Sequence, residues 1–232
     1  MSDVDLVADV GDRLGEGPAW DPVAGVLWWV DIKGCRLHRL QPASDAVDTW
    51  ELEETPGAVA PRAGGGLVMA VRSGLALFDP GTSHLQVVAA PEPERPGNRF
   101  NDGGCDPQGR FWAGSMDDAE KERTGALYRF DGDGTWERIL DGLGIPNTIA
   151  WSPDGATFYF AETFDRVIHA YDFDPAAGTV DNRRLFAAIE PPGSPTARRS
   201  TPRGSCGTPS GTAAVSSATT RMDRRSEWCR CR

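Results

Sequence analysis

The six residues WDPVAG at positions 20–25, followed by the apolar run VLWWV at 26–30, set the pattern of the chain. Pro fixes φ at the entry to a turn and Gly supplies a positive φ at its exit, so this run predicts a tight turn between two β-strands. The same turn chemistry returns in CDPQG at 105–109 and in WSPDG at 151–155, each time before another apolar run. The sequence therefore predicts a repeat of strand, turn and strand.

The spacing of these turns sets the length of the repeat. Pro22, Pro107 and Pro153 lie 85 and 46 residues apart, which is two periods and then one, and a degenerate copy occupies residues 64–80. Several strands in a repeat of about 45 residues are typical of β-propeller blades. We predict an all-β propeller with units at 16–56, 57–97, 98–141 and 144–186. An irregular β-sandwich is the alternative, which the fixed period disfavours.

Charge and composition limit the partners and the location. Residues 1–195 hold 16 Lys and Arg against 32 Asp and Glu, and this acidic balance disfavours nucleic acid. No apolar run reaches the length needed to span a bilayer, so no membrane partner is expected. The acidic start MSDVD lacks the features of a signal peptide, which predicts a cytoplasmic protein.

Polar residues begin the first strands of the predicted blades. Glu16, Asn101 and Asn147 occupy comparable positions of the repeat. Because the first strands of a propeller line its channel, we expect these three residues, with Arg99 nearby, to converge at one mouth. Carboxylate and amide oxygens suit hard divalent cations, and Arg99 suits an anionic or hydroxyl-rich molecule. The alternative is structural, because Asn-Asp-Gly and Pro-Asn-Thr are also good turn sequences.

Several motifs carry a family resemblance over residues 10–190: GEGPAW at 15–20, RFNDG at 99–103, DPQGR at 106–110, GSM at 114–116, PN at 146–147 and WS at 151–152. They closely resemble the gluconolactonase/regucalcin family, also called the senescence marker protein family. The resemblance implies a six-bladed β-propeller that hydrolyses sugar lactones, with about four blades present here and the ring incomplete. It implies Glu16 and Asn147 as metal ligands, Arg99 and Asn101 as substrate contacts, and one divalent metal in the channel. Ca²⁺ is preferred, with Zn²⁺, Mn²⁺ or Mg²⁺ as alternatives.

The chain departs from the family pattern at two places, and one further family residue has several possible counterparts. Glu162-Thr163 stands where the family usually has Asp-Ser, and the family's substrate-binding acid has three candidates, Asp117, Asp118 and Glu120. An Asp that serves as third ligand and base is expected near residue 196, where the chain has Thr196. The catalytic residue is therefore unassigned, and three functions stay open: a metal-dependent lactonase or its inactive fragment, a non-catalytic calcium-binding propeller, or an esterase for aryl esters or organophosphates.

The composition breaks at the same place. Residues 196–232 hold eight Arg against two acids and no Leu, Ile, Phe, Tyr or Lys, which predicts a disordered Arg/Ser/Thr-rich tail after a partial propeller at 1–195. Read one base earlier from codon 196, the tail permits DGSTVDAEGFLWNAQWDGGRVVRYDPDG, which begins with the expected Asp-Gly and ends in an Asp-Pro turn. We hypothesise a one-nucleotide frameshift there. Sequencing the gene tests this, and an intact frame with no blade coding downstream would refute it.

Overall fold

The regular secondary structure is entirely β in the computed structural model, which describes residues 6–190. Within these residues sixteen strands form four sheets, and each sheet contains four antiparallel strands in chain order. Blade 1 contains β1 (Gly15–Asp21), β2 (Val26–Asp31), β3 (Arg36–Gln41) and β4 (Ala46–Glu51), and blade 2 contains β5 (Pro56–Pro61), β6 (Leu67–Val71), β7 (Gly74–Asp79) and β8 (His84–Ala89). Blade 3 contains β9 (Asn98–Cys105), β10 (Phe111–Asp117), β11 (Gly125–Phe130) and β12 (Trp136–Leu143), and blade 4 contains β13 (Pro146–Trp151), β14 (Thr157–Glu162), β15 (Val167–Asp174) and β16 (Thr179–Ala188).

These sheets confirm the predicted all-β blades. The four units begin within two residues of the predicted starts, whereas their last strands end two to eight residues from the predicted ends. Four sheets agree with a propeller ring that is incomplete. The tail predicted over 196–232 and the frameshift hypothesis lie outside the described residues. Within residues 6–190 there is no helix long and apolar enough to cross a membrane.

The repeated turns have the predicted chemistry. Gly25, Gly109 and Gly155 have φ values of 67°, 84° and 70°, in the region that glycine adopts at low cost. In the first turn the Gly25 amide donates to the Asp21 carbonyl at 2.8 Å. The Asp21 carboxylate accepts from the amide of Val23 at 2.9 Å, so this Asp closes the turn from within.

Apolar cores between successive blades hold the sheets side by side. Val30, Leu37 and Met69 belong to the core between blades 1 and 2. The corresponding cores contain Phe100 and Tyr128 between blades 2 and 3, and Trp112, Phe158 and Phe173 between blades 3 and 4. Burial of each large side chain stabilises the fold by roughly 1.5–3 kcal/mol.

The first strand of each blade lies on the inner side. β1 contacts β5, β5 contacts β9, and β9 contacts β13, whereas the fourth strands are mostly exposed. The starts of the four inner strands therefore meet at one end of the molecule, which we call the channel mouth.

Candidate metal and substrate site at the channel mouth

Matching irregularities place Glu16 and Asn147 at the channel mouth. Glu16 pairs with Val30 and Asn147 pairs with Ala161, and in both blades the register slips directly afterwards. The residue after each has a positive φ, 60° at Gly17 and 54° at Thr148. Bulges of this kind redirect the side chains beside them. A β-branched residue such as Thr148 rarely adopts positive φ, and such strain concentrates at functional sites.

One hydrogen bond closes the mouth end of every blade and fixes the correspondence between blades. The acceptors are the carbonyls of Leu14, Thr55, Gly97 and Ile145. Two residues beyond them lie Glu16, Gly57, Arg99 and Asn147. The residue of blade 3 that corresponds to Glu16 is therefore Arg99, and the expectation that Asn101 holds this position was wrong by two residues. Asn101 instead lies in the bulge of blade 3, between Phe100 and Asp102.

Blade 2 contributes backbone alone at this level. A Cβ on Gly57 would lie 2.4 Å from the carbonyl oxygen of Phe100, so the inner strands of blades 2 and 3 approach too closely for any side chain. The ring of positions thus holds a carboxylate, a glycine, a guanidinium and an amide.

A chain of hydrogen bonds connects the predicted site residues of blades 3 and 4. Arg99 Nη1 donates to Asn101 Oδ1 at 2.9 Å. Asn101 Nδ2 donates to the Pro146 carbonyl at 3.0 Å and to Asn147 Oδ1 at 3.3 Å. Asn147 Nδ2 in turn donates to Thr163 Oγ1 at 2.9 Å. The structure therefore brings Arg99, Asn101 and Asn147 together, with the orientation of both amides fixed.

Glu16 has the electrostatic environment of a cation ligand. Burial, with the charge of Asp102 in addition, raises the pKa of Glu16 to about 7, although Arg99 acts in the opposite direction. No described residue donates a hydrogen bond to its carboxylate. A carboxylate without a partner in a partly desolvated site is stabilised by a bound cation, so the residues present fit a divalent metal.

Asp118 holds the substrate-contact candidate Arg99 in place. Its Oδ1 accepts from Arg99 Nε at 2.8 Å, and it also forms ion pairs with Arg72 of blade 2 and with Lys33 of blade 1, the latter at 3.7 Å. Burial opposes ionisation of Asp118, but hydrogen bonds from Arg72 and Arg99 outweigh it and hold its pKa below the ordinary value. Three blades are thus joined through one carboxylate.

The other two candidate acids have different surroundings. Asp117 accepts backbone amides of its own loop, from Lys121 at 3.0 Å and Glu122 at 3.1 Å, and Glu120 is exposed. Sequence reasoning missed the connection of Asp118 to Arg72. The available signal was their shared repeat position, because both residues directly follow the second strand of a blade.

The predicted metal-binding set is incomplete within the described part of the chain. Residues 6–190 contain no group of three or more His, Cys, Asp or Glu residues placed to hold a metal ion. The predicted ligands within these residues are Glu16 and Asn147. The position of the expected third ligand, near Thr196, lies outside the described residues.

Comparison with known proteins places the chain among lactonases and regucalcins. The chain is 37% identical to 6-deoxy-6-sulfogluconolactonase of Pseudomonas putida and 36% identical to pentonolactonase XacC of Haloferax volcanii, over 75% and 83% of its length. It spans only 60% and 65% of those two relatives. A crystal structure of regucalcin, a calcium-binding protein from Agrobacterium tumefaciens, matches with a TM-score of 0.83 and 29% identity, over 87% of this chain and 69% of that one.

The family assignment rests on most of the chain. The sequence model of the SMP-30/gluconolactonase/LRE-like region matches residues 14–217, which includes all four blades and extends beyond the described residues. The motifs that carried the resemblance, from Glu16 to Asn147, lie inside that match. The chain belongs to the SMP-30/gluconolactonase/LRE-like family.

Proposed function

We propose that residues 6–190 carry the metal-binding and lactone-binding part of a metal-dependent sugar lactone hydrolase. The proposal rests above all on Glu16 and Asn147, which share one register position in two blades while the Glu16 carboxylate is desolvated and receives no hydrogen bond from the described residues. Relatives named as sugar lactonases support the substrate class.

In this proposal two residues bind the metal ion and two others bind the substrate. Glu16 and Asn147 hold the cation, which when bound polarises the ester carbonyl and lowers the pKa of water. Arg99 and Asn101 hold the hydroxyl or anionic groups of the lactone, and Asp118 fixes the Arg99 guanidinium. An oxygen-only donor set favours Ca²⁺, with Mn²⁺, Mg²⁺ and Zn²⁺ as alternatives.

Turnover by this chain is expected to be low. The family pattern places an Asp, as third ligand and base, near residue 196, and this sequence has Thr196. General-base catalysis accelerates such reactions by roughly 10²–10⁴-fold. We therefore expect the chain to bind metal but to hydrolyse lactones slowly. The cytoplasmic location remains a prediction from the sequence.

Calorimetry and a pH-stat assay on the full chain test the proposal. We expect one Ca²⁺ or Mn²⁺ per chain, lost in Glu16→Gln and retained in Asp48→Asn, an exposed carboxylate on the outer strand of blade 1. Slow acid release from an aldonolactone should require the same metal. Hydrolysis that is unaffected by a chelator, or no metal binding by the wild type, would overturn the proposal.

A non-catalytic calcium-binding protein is the second candidate. The observation in its favour is that Thr196 stands where the Asp is expected, and the structurally similar regucalcin is a calcium-binding protein. Ca²⁺ binding at the Glu16 site without hydrolysis of lactones would favour this candidate. Hydrolysis of aryl esters or organophosphates but not lactones would favour the esterase alternative.

A further inference from the structure

A buried carboxylate in blade 4 holds the backbone that leads to Asn147. Glu162 ends β14 and is 4% exposed. Its carboxylate accepts from the amides of Gly144 at 2.9 Å, Ile145 at 3.0 Å and Phe164 at 3.2 Å. The first two amides lie three and two residues before Asn147, so Glu162 fixes the approach of the chain to the bulge.

The same arrangement recurs in blade 1 before Glu16. Asp31 ends β2 and is 0% exposed. Its carboxylate accepts from the amides of Leu14 at 2.9 Å, Arg13 at 3.2 Å and Gly34 at 3.0 Å. The amides of Leu14 and Arg13 again lie two and three residues before the proposed metal ligand.

The two carboxylates occupy one position of the repeat. Asp31 pairs with Gly15, and Glu162 pairs with Pro146. Each therefore lies opposite the residue that directly precedes the proposed ligand. Asp31 and Glu162 differ in side-chain length, but each accepts the amides two and three residues before the proposed ligand. The two blades therefore share these hydrogen bonds and not the residue type.

Blades 2 and 3 differ at this position. Blade 2 has Val71 at this position, opposite Pro56. The side chain of Val71 is apolar and cannot accept a hydrogen bond. Blade 3 has Asp117, whose carboxylate accepts amides from its own loop, including Lys121 at 3.0 Å. Among the four described blades, the backbone contact thus occurs in the two that present an oxygen ligand at the mouth, and it is missing in the two that present Gly57 and Arg99.

We propose that Asp31 and Glu162 are positioning residues that hold Glu16 and Asn147 at the separation and orientation a divalent cation requires, an inference that rests on the proposed function. Each carboxylate fixes two successive amides, so it restrains the backbone just before the bulge from which the ligand projects. Partners of metal ligands typically act in this way, by limiting the orientations that the ligands adopt.

Metal titration of the full chain tests the inference. Glu162→Gln and Asp31→Asn each keep the volume but turn an NH₂ group toward backbone donors. We expect each to weaken Mn²⁺ or Ca²⁺ binding by about 10- to 100-fold. Glu162→Asp should retain affinity within a few-fold, roughly, because Asp31 shows that the shorter side chain forms these contacts at this position.

Asp106→Asn is the matched control. Asp106 is also buried and accepts the amides of Gln108 and Arg110, both at 2.9 Å, but it follows the far end of β9. We expect it to lower the melting temperature and leave metal affinity unchanged. Equal metal affinity in wild type, Glu162→Gln and Asp31→Asn would show that the two carboxylates do not position the metal ligands, and would overturn the inference. Failure of the wild type itself to bind metal would instead refute the proposed function, and this inference with it.

Discussion

Asn147 donates its side-chain amide to the hydroxyl of Thr163 at 2.9 Å, and this bond decides which way the Asn147 amide points. With Nδ2 committed to Thr163, Oδ1 lies on the side of Asn101, which donates to it at 3.3 Å. Thr163 is therefore the residue that presents an oxygen, rather than an NH₂ group, toward the channel mouth.

Thr163→Val should weaken metal binding because it removes the acceptor while keeping the shape of the side chain. With the bond lost, the amide can rotate, and we expect about a tenfold loss in Mn²⁺ affinity by calorimetry. Thr163→Ser keeps the hydroxyl and should bind metal like the wild type. Equal affinity in Val and Ser variants would show that Thr163 does not orient Asn147.

Asp118→Asn should destabilise the fold because it leaves Arg99 buried without its carboxylate partner. The Arg99 side chain is 2% exposed, and the Asp118 side chain is 32% exposed, so solvent screens part of the interaction. We expect a loss of about 1–3 kcal/mol in the free energy of unfolding, measured by urea denaturation. Asp48→Asn breaks an exposed pair with Arg39 and should cost less than about 1 kcal/mol. Similar losses in the two variants would contradict the assigned role of Asp118.

The turns and the shared repeat position of Glu16 and Asn147 were predictable from sequence because local patterns specify them. Pro22 and Gly25 define a turn without reference to the rest of the chain, and the recurrence of that turn gives the blade length. Glu16 and Asn147 were recognisable because both lie the same distance from the start of an inner strand.

The parts that sequence reasoning missed depend on register. Asn101 was aligned with Glu16, but the bulge in blade 3 begins one pair later than in blades 1 and 4, so Arg99 holds that position. The contacts of Asp31 and Glu162 join residues 17 and 18 positions apart in sequence, and the ion pair of Arg72 with Asp118 joins residues 46 apart. Strand pairing alone brings such residues together, and a single sequence does not specify the pairing residue by residue.

Metal affinity should rise with pH because of Glu16. Its pKa is raised to about 7 by burial first and by Asp102 second, so a cation must displace a proton below that pH. We expect affinity to increase about tenfold per unit from pH 5.5 to 7 and to level off above. Calorimetry in buffers of different ionisation enthalpy should detect close to one proton released per metal at pH 6.

The raised pKa of Glu16 should make the metal-free protein less stable as pH rises, whereas metal affinity increases. The folded state holds the Glu16 proton more tightly than the unfolded state does, so stability falls as pH rises from 4.5 to 7. Glu16→Gln should remove this part of the pH dependence. An unchanged profile in that variant would show that Glu16 titrates at its ordinary pKa.

Gly57→Ala should separate the inner strands of blades 2 and 3. The added Cβ would lie 2.4 Å from the carbonyl oxygen and 2.5 Å from the carbonyl carbon of Phe100, and backbone atoms cannot move aside as a flexible side chain can. We expect a loss of about 3 kcal/mol in the free energy of unfolding, because the strands must shift to relieve the overlap. Gly64→Ala is the control, since nothing lies within 4 Å of its Cβ, and its stability should match the wild type within about 0.5 kcal/mol. Equal stability of Gly57→Ala and Gly64→Ala would show that the inner strands of blades 2 and 3 do not approach too closely for a side chain at position 57.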